Sequence, residues 1–480
     1  MDCWKNLQQS SWGYPTLILC MYGFFSTIRP SEPFLTPYLT GSYKNLTIDQ
    51  VTNQIFPVWT YSYLVILFPV FLATDYLRYK PVILLQGASY LITWLMLLFA
   101  QGVLAMQFVE VFYGMVTATD VAYYSYIYSV VSPDHYQRVT SYCRSVTLVG
   151  FTIGSVLGQV LVSFAGVSYF HLNVISTVFV SVAIVASFFL PMPQTSMFFH
   201  RKATREMSQP PTNDQNQISP PNTNINEANK ELHIPSETSM DSEYDKSHIK
   251  KNETFLFVKV ILMLWADFKE CYTSKELLYW SIWWAMATCG YNQIVNYVQV
   301  LWDHIEPSSN MTVYNGGVEA VSTLLGAGAS FAVGYVNTDW NLWGELSLGI
   351  FSAVDAGALY LMDLTNNIWV CYAGYLIFKS SYMLLITIAT FQIASNLSME
   401  RYALMFGVNN FIALALQTIL TVIVVDKSGL GLEIITQFLV YGSYFAVIAL
   451  IFLIRGIFIY THHRCTKKKE TSPVEPEMRF

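Results

Sequence analysis

The sequence predicts an all-α polytopic membrane protein, and three observations support this prediction. The 480 residues are 53% hydrophobic and only 12% charged, whereas soluble proteins contain about 25% charged residues. The chain contains twelve apolar runs, and roughly 20 apolar residues are enough to cross a bilayer as a helix. A polar interval at residues 192–254 divides these runs into two groups of six.

The predicted membrane spans lie at about 12–39, 54–74, 81–105, 107–131, 143–165, 168–191, 275–302, 314–336, 342–362, 367–395, 402–425 and 432–460. Two groups of six are typical of the major facilitator fold, in which packed repeats enclose a central site. We expect an N-terminal bundle at 1–191. At 255–462 we expect an amphipathic surface helix followed by the C-terminal bundle. The interval 192–254 is rich in Pro, Ser, Thr and Asn, which predicts a disordered cytoplasmic linker. A cytoplasmic tail follows at 463–480.

Basic residues predict the orientation of the chain, because cytoplasmic loops are enriched in Lys and Arg. If the twelve spans are right, one side of the bundle holds the basic positions Arg78, Arg138, Arg201, Arg205, Arg464 and Lys467. Both termini are then cytoplasmic. Sequons at Asn45 and Asn310 face outward, where they can be glycosylated. Two other sequons, at Asn252 and Asn396, fall on the inner side.

Several function classes lack their sequence patterns in this chain. The seven cysteines are scattered without CxxC or metal-ligand spacing, which excludes a disulfide framework and a zinc site. No Walker A motif is present, so an ATP-driven pump is not expected from this chain alone. We expect no cofactor. We also expect no nucleic-acid partner, because the basic residues sit in loops and tails.

The first span contains charges and prolines at a depth where both are unusual. Arg29 and Glu32 lie among Pro30, Pro33 and Pro37. A charge at membrane depth costs at least ~2.5 kcal/mol and usually faces a bundle interior or a water-filled cavity. We therefore expect Glu32 to point into a polar path and Arg29 to be structural. The alternative is that the two residues only pair to fix helix packing.

The first half also places acids near aromatic rings. Glu110 and Tyr113 share a face of the fourth span, and Phe56 and Trp59 share a face of the second. This combination suits a desolvated organic cation. Such a cation gains ~2 kcal/mol over an indole ring and ~4 kcal/mol beside a carboxylate at an effective ε of ~20. Aromatic residues alone are weak evidence, because they make up 16% of the chain.

The second half offers amides and further intramembrane charges. Asn292 and Asn296 share a face of the seventh span, where amides can bind a polar ligand edge or join helices. Glu319, Asp355 and Lys379 also lie inside predicted spans. A structural pair between Glu319 and Lys379 is favoured slightly over direct substrate contact.

A family resemblance rests on motifs in both membrane halves. These are Arg29-Pro30-Ser31-Glu32-Pro33-Phe34, Pro37-Tyr38-Leu39, Phe56-Pro57-Val58-Trp59-Thr60-Tyr61-Ser62-Tyr63, Val121-Ala122-Tyr123-Tyr124, Tyr136-Gln137-Arg138-Val139, Tyr142-Cys143-Arg144, Trp280-Ser281-Ile282-Trp283-Trp284-Ala285, Gly316-Gly317-Val318-Glu319-Ala320 and Thr390-Phe391-Gln392-Ile393-Ala394. They resemble the vitamin carriers that include the reduced folate carrier and the thiamine transporters. Only the linker and the tail lack a match.

The resemblance implies a set of substrate-binding residues, carried over by matching motifs: Glu32, Phe56, Trp59, Trp94, Glu110, Tyr113 and Asn296. It implies that Glu110, Tyr113 and Asn296 surround an aminopyrimidine. Phe56 and Trp59 would stack on the ligand, and Glu32 would add negative charge. Further candidates are Phe151, Tyr297, Glu319 and Lys379. Phe151 stands where the family pattern leads us to expect tyrosine, which removes one hydroxyl from the pocket.

The resemblance also implies an activity: high-affinity thiamine uptake across the plasma membrane by alternating access, in a protein that functions as a monomer in the lipid bilayer. Folate carriers place a lysine in the eleventh span where this chain has Gln417, which favours a cationic vitamin. The alternatives are transport of pyridoxine or reduced folate, or a non-transporting membrane scaffold.

Overall fold

The structure is a computed structural model that describes residues 12–131, 135–193, 262, 265–307, 313–333, 340–395, 397 and 399–470. Across these ranges the regular elements are helices. They are α1 (Gly13–Thr27), α2 (Leu35–Thr40), α3 (Ile48–Gln50), α4 (Phe56–Tyr76), α5 (Lys80–Phe99), α6 (Val103–Val130), α7 (Tyr136–Ser163), α8 (Tyr169–Phe188), α9 (Lys275–Ile305), α10 (Asn315–Val333), α11 (Trp340–Leu364), α12 (Ile368–Ser395), α13 (Met399–Val424) and α14 (Ile434–Glu470).

Nine stretches of the described chain are long and apolar enough to span a membrane. The other three predicted spans correspond to the interrupted first helix, α6 and α9, which contain many of the candidate site residues. Helix α14 continues to Glu470, beyond the predicted end of its bundle at 462. Residues 194–254 of the predicted linker and the sequon at Asn310 lie outside the described residues.

The first crossing is interrupted at the charged motif. Helix α1 ends at Thr27, and a 3-10 turn from Glu32 to Phe34 leads into α2. Pro30 and Pro33 lack the amide hydrogen that a continuous helix would use, and their rings clash with the preceding turn. Irregular backbone at membrane depth is tolerated where protein or a water-filled cavity surrounds it. The sequence thus places an interrupted helix beside the centre of the bundle.

Helix α7 makes room for this interruption with a stripe of glycines at Gly150, Gly154 and Gly158. A Cβ atom on Gly154 would lie 2.8 Å from the amide nitrogen of Arg29, and one on Gly158 would lie 2.4 Å from the carbonyl oxygen of Pro30. Real Cβ atoms essentially never approach backbone this closely. The interrupted segment can therefore rest directly on the backbone of α7.

The bundle has two distinct ends. We call the end where α1 begins the proximal end and the opposite end the distal end. Hydrogen bonds between the two halves join residues in the distal half. The Tyr61 hydroxyl donates to Asp426 at 2.8 Å, and the Gln159 amide donates to the carbonyl of Val313 at 2.8 Å. Lys427 also forms an ion pair with Asp49. The structure thus shows the halves joined at the distal end.

The distal contacts are polar and partly exposed. The side chains of Lys427 and Asp49 are 53% and 51% exposed, so their pair contributes only about 0.2–1 kcal/mol. The backbone N–H of Ser428 holds the pKa of Asp426 below its usual range. The Tyr61–Asp426 contact is therefore fully formed above the ordinary pKa of aspartate, and it weakens only as the pH falls through the lowered value.

We expect Gly154→Ala to lower thermal stability, because the new methyl group must displace the backbone of Arg29. Overpacking of this kind costs about 1–3 kcal/mol. The matched control is Gly328→Ala, since a Cβ on Gly328 meets nothing within 4 Å and alanine favours a helix. Melting temperatures of the purified variants in detergent measure both effects. Equal melting temperatures would show that the segment does not rest on α7.

We expect Lys427→Glu to loosen the distal end, because it places a like charge opposite Asp49. Adding Asp49→Lys should restore the attraction. Spin labels at Ser42 and Leu430, in a cysteine-free background, report the distance between the two distal loops. A longer distance is expected in the single variant and the parental distance in the double variant. The same distance in all three proteins would contradict a role for this pair.

Candidate functional site

The candidate site lies where the two halves face each other near the middle of the bundle. Helix α4 contributes Phe56, and α9 contributes Tyr297. The centroids of these two rings are 6.1 Å apart. Glu110 of α6 is close enough to Tyr297 to interact with it electrostatically. Asn296 precedes Tyr297 on α9. The predicted residues Phe56, Glu110, Asn296 and Tyr297 thus meet across the boundary between the halves.

Several polar groups at this boundary have no partner among the described residues. The Asn296 side-chain nitrogen and the Tyr297 hydroxyl are buried without a hydrogen bond. Glu110 is 7% exposed, and its carboxylate makes no hydrogen bond or ion pair within the described chain. An unsatisfied buried polar group costs about 1–3 kcal/mol. The arrangement therefore suits a ligand that supplies an acceptor for the Asn296 nitrogen, a hydrogen-bond partner for the Tyr297 hydroxyl, and a donor or positive charge for Glu110.

Trp59 is held in place by a neighbouring helix. Its indole N–H donates to the hydroxyl of Thr117 at 3.2 Å, and its ring lies 5.9 Å from that of Tyr63. Thr117 belongs to the same face of α6 as Glu110 and Tyr113. Because the polar atom of the indole is satisfied, a flat ligand could stack on the ring without an unpaired N–H.

A second group of predicted residues forms a closed network around Arg29. The guanidinium group lies 3.1 Å from the Glu32 carboxylate, and the Tyr113 hydroxyl donates to the other oxygen of Glu32 at 2.9 Å. Arg29 also lies over the rings of Tyr90 and Trp94, at 5.2 and 5.6 Å. The pairing that was the alternative in the sequence interpretation is therefore present, and Arg29 balances the charge of Glu32.

Trp94 lies behind this network. It is 3% exposed, and its indole N–H donates to the Ser31 hydroxyl at 3.1 Å. In this conformation Trp94 packs against Arg29 and supports the interrupted segment. A role for Trp94 in ligand binding stays a prediction.

The second half contains an equally closed pair. Lys379 lies 2.5 Å from the Glu319 carboxylate, and the Tyr375 hydroxyl donates to the same carboxylate at 2.8 Å. The ammonium group also lies 5.6 Å from the ring centroid of Phe151 in the first half. The expected Glu319–Lys379 pair is thus formed. It places Phe151 against a cation of the opposite half.

Asp120 is a candidate that the sequence analysis missed. The Gln86 amide donates to its carboxylate at 2.5 Å, and the Tyr22 hydroxyl donates to Gln86 at 2.7 Å. Asp120 lies close enough to Arg29 to interact electrostatically, yet its side chain remains exposed. Its spacing from Glu110 continues the i, i+3, i+7 pattern of Tyr113 and Thr117, so the helical periodicity could have identified it.

Gln299 is a second residue that the sequence analysis missed. Its side-chain amide donates to the backbone carbonyl of Glu32 at 3.1 Å, and its oxygen accepts from the N–H of Thr36 at 3.4 Å. Gln299 belongs to α9 of the second half. It therefore links the central helix of that half to the interrupted segment.

Two acids of the described site have no paired cation to balance them. Arg29 and Lys379 are each paired with a glutamate, whereas Glu110 and Asp120 are not paired with a cation of the described chain. Gln417 is fully buried and lies within 3.4 Å of the Asn292 amide. It supplies an uncharged amide at this position. The site thus lacks an uncompensated cation among the described residues that could receive an anionic ligand.

The sequence profile described as "Reduced folate carrier" matches residues 10–440 of the chain. The chain belongs to the reduced folate carrier family. It is 59% identical to human thiamine transporter 2, over 99% of this chain and 96% of that protein. It is 60% identical to human thiamine transporter 1, over 94% of this chain and 91% of that protein. Identity to the human reduced folate transporter is 42%, over 92% of this chain and 72% of that protein.

Solved structures confirm the predicted fold class. A POT family transporter bound to a thioalcohol-conjugated peptide superposes with a TM-score of 0.59 at 12% sequence identity. The alignment covers 92% of this chain and 96% of that structure. The chain is thus a multi-pass membrane protein of the major facilitator fold, in a family whose named members are transporters and not enzymes.

Proposed function

We propose that this protein carries thiamine across the plasma membrane by alternating access. The observation that supports this most strongly is the charge balance of the site. Each intramembrane cation near the site is paired with a glutamate, while the Glu110 carboxylate has no partner in the described chain. Thiamine carries a permanent positive charge on its thiazolium ring, and a second ring supplies hydrogen-bonding groups.

The two rings of thiamine match the two kinds of group at the boundary. With Glu110 at the aminopyrimidine, as the family resemblance implies, the adjoining thiazolium ring is still attracted to that carboxylate, by up to ~4 kcal/mol at an effective ε of ~20. Stacking a cation on a desolvated aromatic ring such as Trp59 adds ~2 kcal/mol. The unpartnered Asn296 and Tyr297 groups can bond to the aminopyrimidine. Phe56 would close the site from the other side, 6.1 Å from the ring of Tyr297.

Reduced folate fits this site less well. Its two carboxylates need cations, but the Lys379 ammonium group is bound to Glu319 at 2.5 Å, and Gln417 is uncharged. Pyridoxine is a weaker competitor than thiamine, because it has one aromatic ring and no permanent charge. Competition of labelled thiamine uptake by folate and by pyridoxine separates these substrates.

Alternating access follows from rocking of the two halves around the site. Contacts at the distal end hold the halves together in this conformation. The basic residues of the proximal loops favour a cytoplasmic location for that end and for both termini, so the site would open to the cytoplasm.

Asn45 is exposed in the distal loop that follows α2, where it could be glycosylated. We propose that one chain is the functional unit.

We expect Glu110→Gln to weaken thiamine binding at least tenfold, since it removes the unpaired carboxylate and about 1.4 kcal/mol corresponds to tenfold in affinity. Uptake of labelled thiamine at matched surface expression measures the change in KM. Glu433→Gln is the control, because Glu433 is an exposed carboxylate in the distal loop. Unchanged affinity in the Glu110 variant would reject its role as a ligand.

We expect Trp59→Ala to weaken thiamine binding and Trp59→Phe to retain part of it, because stacking needs a flat ring while the bond to Thr117 needs the indole N–H. The binding affinities of purified variants, measured by calorimetry, separate the two contributions. An equal loss in both variants would indicate that Trp59 acts through packing on α6.

The alternative of a non-transporting scaffold has its own test. Flux of labelled thiamine into liposomes that contain only this protein would exclude it.

A further inference from the structure

Asp355 is a buried carboxyl group that plays no part in the site described above. It lies in the middle of α11 and is 1% exposed. Neither of its oxygens has a hydrogen-bond partner among the described residues. Glu319 of the same half differs from it, because it receives a lysine and a tyrosine. Asp355 resembles Glu110 in lacking a donor among the described residues, but it lies outside the site described above.

Three helices enclose Asp355, and they present hydroxyl groups and rings to it. From α12, the Ser381 hydroxyl is within hydrogen-bonding reach of Asp355, and Tyr382 lies close enough to interact with it electrostatically. From α9, Thr288 shares a hydrogen bond of 3.0 Å with the Tyr382 hydroxyl, and Tyr291 stacks on Tyr382 with centroids 4.0 Å apart. None of these four side chains carries a positive charge.

Helix α14 supplies no charge at this level. The packing of Gly349 against Leu453 and of Gly442 against Tyr360 places residues 446–449 beside Asp355, and these residues are apolar. Tyr444 of the same helix donates its hydroxyl to the carbonyl of Met286 at 2.8 Å.

Other charged groups near α11 either lie at a different level of the bundle or are paired with another residue. Glu345 lies ten residues earlier on α11, about 15 Å along the helix, and it pairs with Arg455 at 2.6 Å. Asp363 lies two turns nearer the distal end. Lys379, on α12, is bound to Glu319. No described cation therefore reaches Asp355 in this conformation.

An ionised carboxylate in such surroundings is strongly disfavoured, because burial without a donor or a counter-ion costs more than binding a proton. A neutral carboxyl group avoids this cost. In this conformation the Asp355 side chain therefore holds a proton.

The surroundings of Asp355 also connect it to the contact between the halves. Tyr291, which stacks on Tyr382, also interacts electrostatically with Glu319. Glu319 holds Lys379, which lies against Phe151 of the first half. The rings of Tyr382 and Tyr291 thus connect the surroundings of Asp355 to a contact between the halves. Movement of α12 would shift Ser381 and Lys379 together.

We propose that Asp355 is a proton-binding site that couples the transport cycle to a proton gradient. In the conformation closed at the distal end, the O–H bond of Asp355 is intact. When the halves rock and the pocket admits water, that bond breaks, the carboxylate keeps the electron pair, and the proton passes to water on the newly opened side. The carboxyl group is restored by a proton from the opposite side. This inference rests on the proposed transport activity.

The test uses the full chain in liposomes with labelled thiamine and an imposed pH gradient of either sign. Asp355→Asn imitates the protonated group. It should exchange internal for external thiamine at the parental rate, but the pH gradient should no longer drive accumulation. One proton for each substrate supports at most about tenfold accumulation per pH unit. Glu433→Gln, an exposed carboxylate in the distal loop, should behave like the parent.

A second measurement follows the proton directly. Infrared difference spectra of the parent between acid and alkaline pH should contain the C=O stretch of a buried protonated carboxyl group. The band should be absent from Asp355→Asn and shifted in Asp355→Glu. Because Asp355→Glu keeps a carboxyl group, it still tests the proposal if the asparagine variant folds poorly.

Two results would overturn the proposal. One is accumulation in Asp355→Asn equal to that of the parent. The other is that accumulation by the parent depends on a sodium gradient and that Asp355→Asn abolishes this dependence. Asp355 would then be a sodium ligand. If the parent fails to exchange thiamine while the carboxyl band still depends on Asp355, the proposed substrate is wrong and the proton site remains.

Discussion

Charge compensation inside a medium that solvates ions poorly is the constraint on which this bundle depends. Arg29 and Lys379 lie at membrane depth, and each meets a glutamate at 3.1 or 2.5 Å. An isolated ion there would cost several kcal/mol. Pairing offsets part of that cost and also removes both cations from the surroundings of the proposed ligand. The acids that remain, Glu110 and Asp120, have no paired cation in the described chain. The preference for a cationic ligand that we propose is thus a consequence of how the cations are paired.

The interrupted first helix makes the first of these pairs possible. Its prolines release backbone groups from helical hydrogen bonds, and neighbouring helices satisfy some of them. The N–H of Ser31 donates to the Ser176 hydroxyl at 3.2 Å, and the carbonyl of Glu32 accepts from Gln299 at 3.1 Å. Glycines of α7 allow the segment to approach within backbone contact. Local chain geometry, helix packing and charge pairing therefore depend on one another at this point.

The sequence predicted the helices, because apolar runs are visible along the chain, and a charge among prolines singled out Glu32, whose role in binding stays a prediction. It did not reveal Asp120, since the interpretation of the fourth span kept Glu110 and Tyr113 as candidates and took no acid further along the helix. Gln299 carries no charge, so nothing in its apolar surroundings distinguished it. The ion pair between Asp49 and Lys427 joins residues 378 positions apart, and such long-range contacts require the folded arrangement.

The distal contacts are individually weak. The exposed ion pair contributes about 0.2–1 kcal/mol, a neutral hydrogen bond about 0.5–1.5 kcal/mol, and a hydrogen bond to a charged group such as Asp426 about 1.5–3 kcal/mol, so the distal end does not need to be closed permanently. In the proposed transport cycle, a ligand bound to Glu110 of the first half and Asn296 of the second would add contacts that exist only when the halves approach. It can shift the equilibrium between conformations only by its difference in affinity for them. Because the unpartnered groups lie on both halves, occupancy of the proposed site would supply that difference.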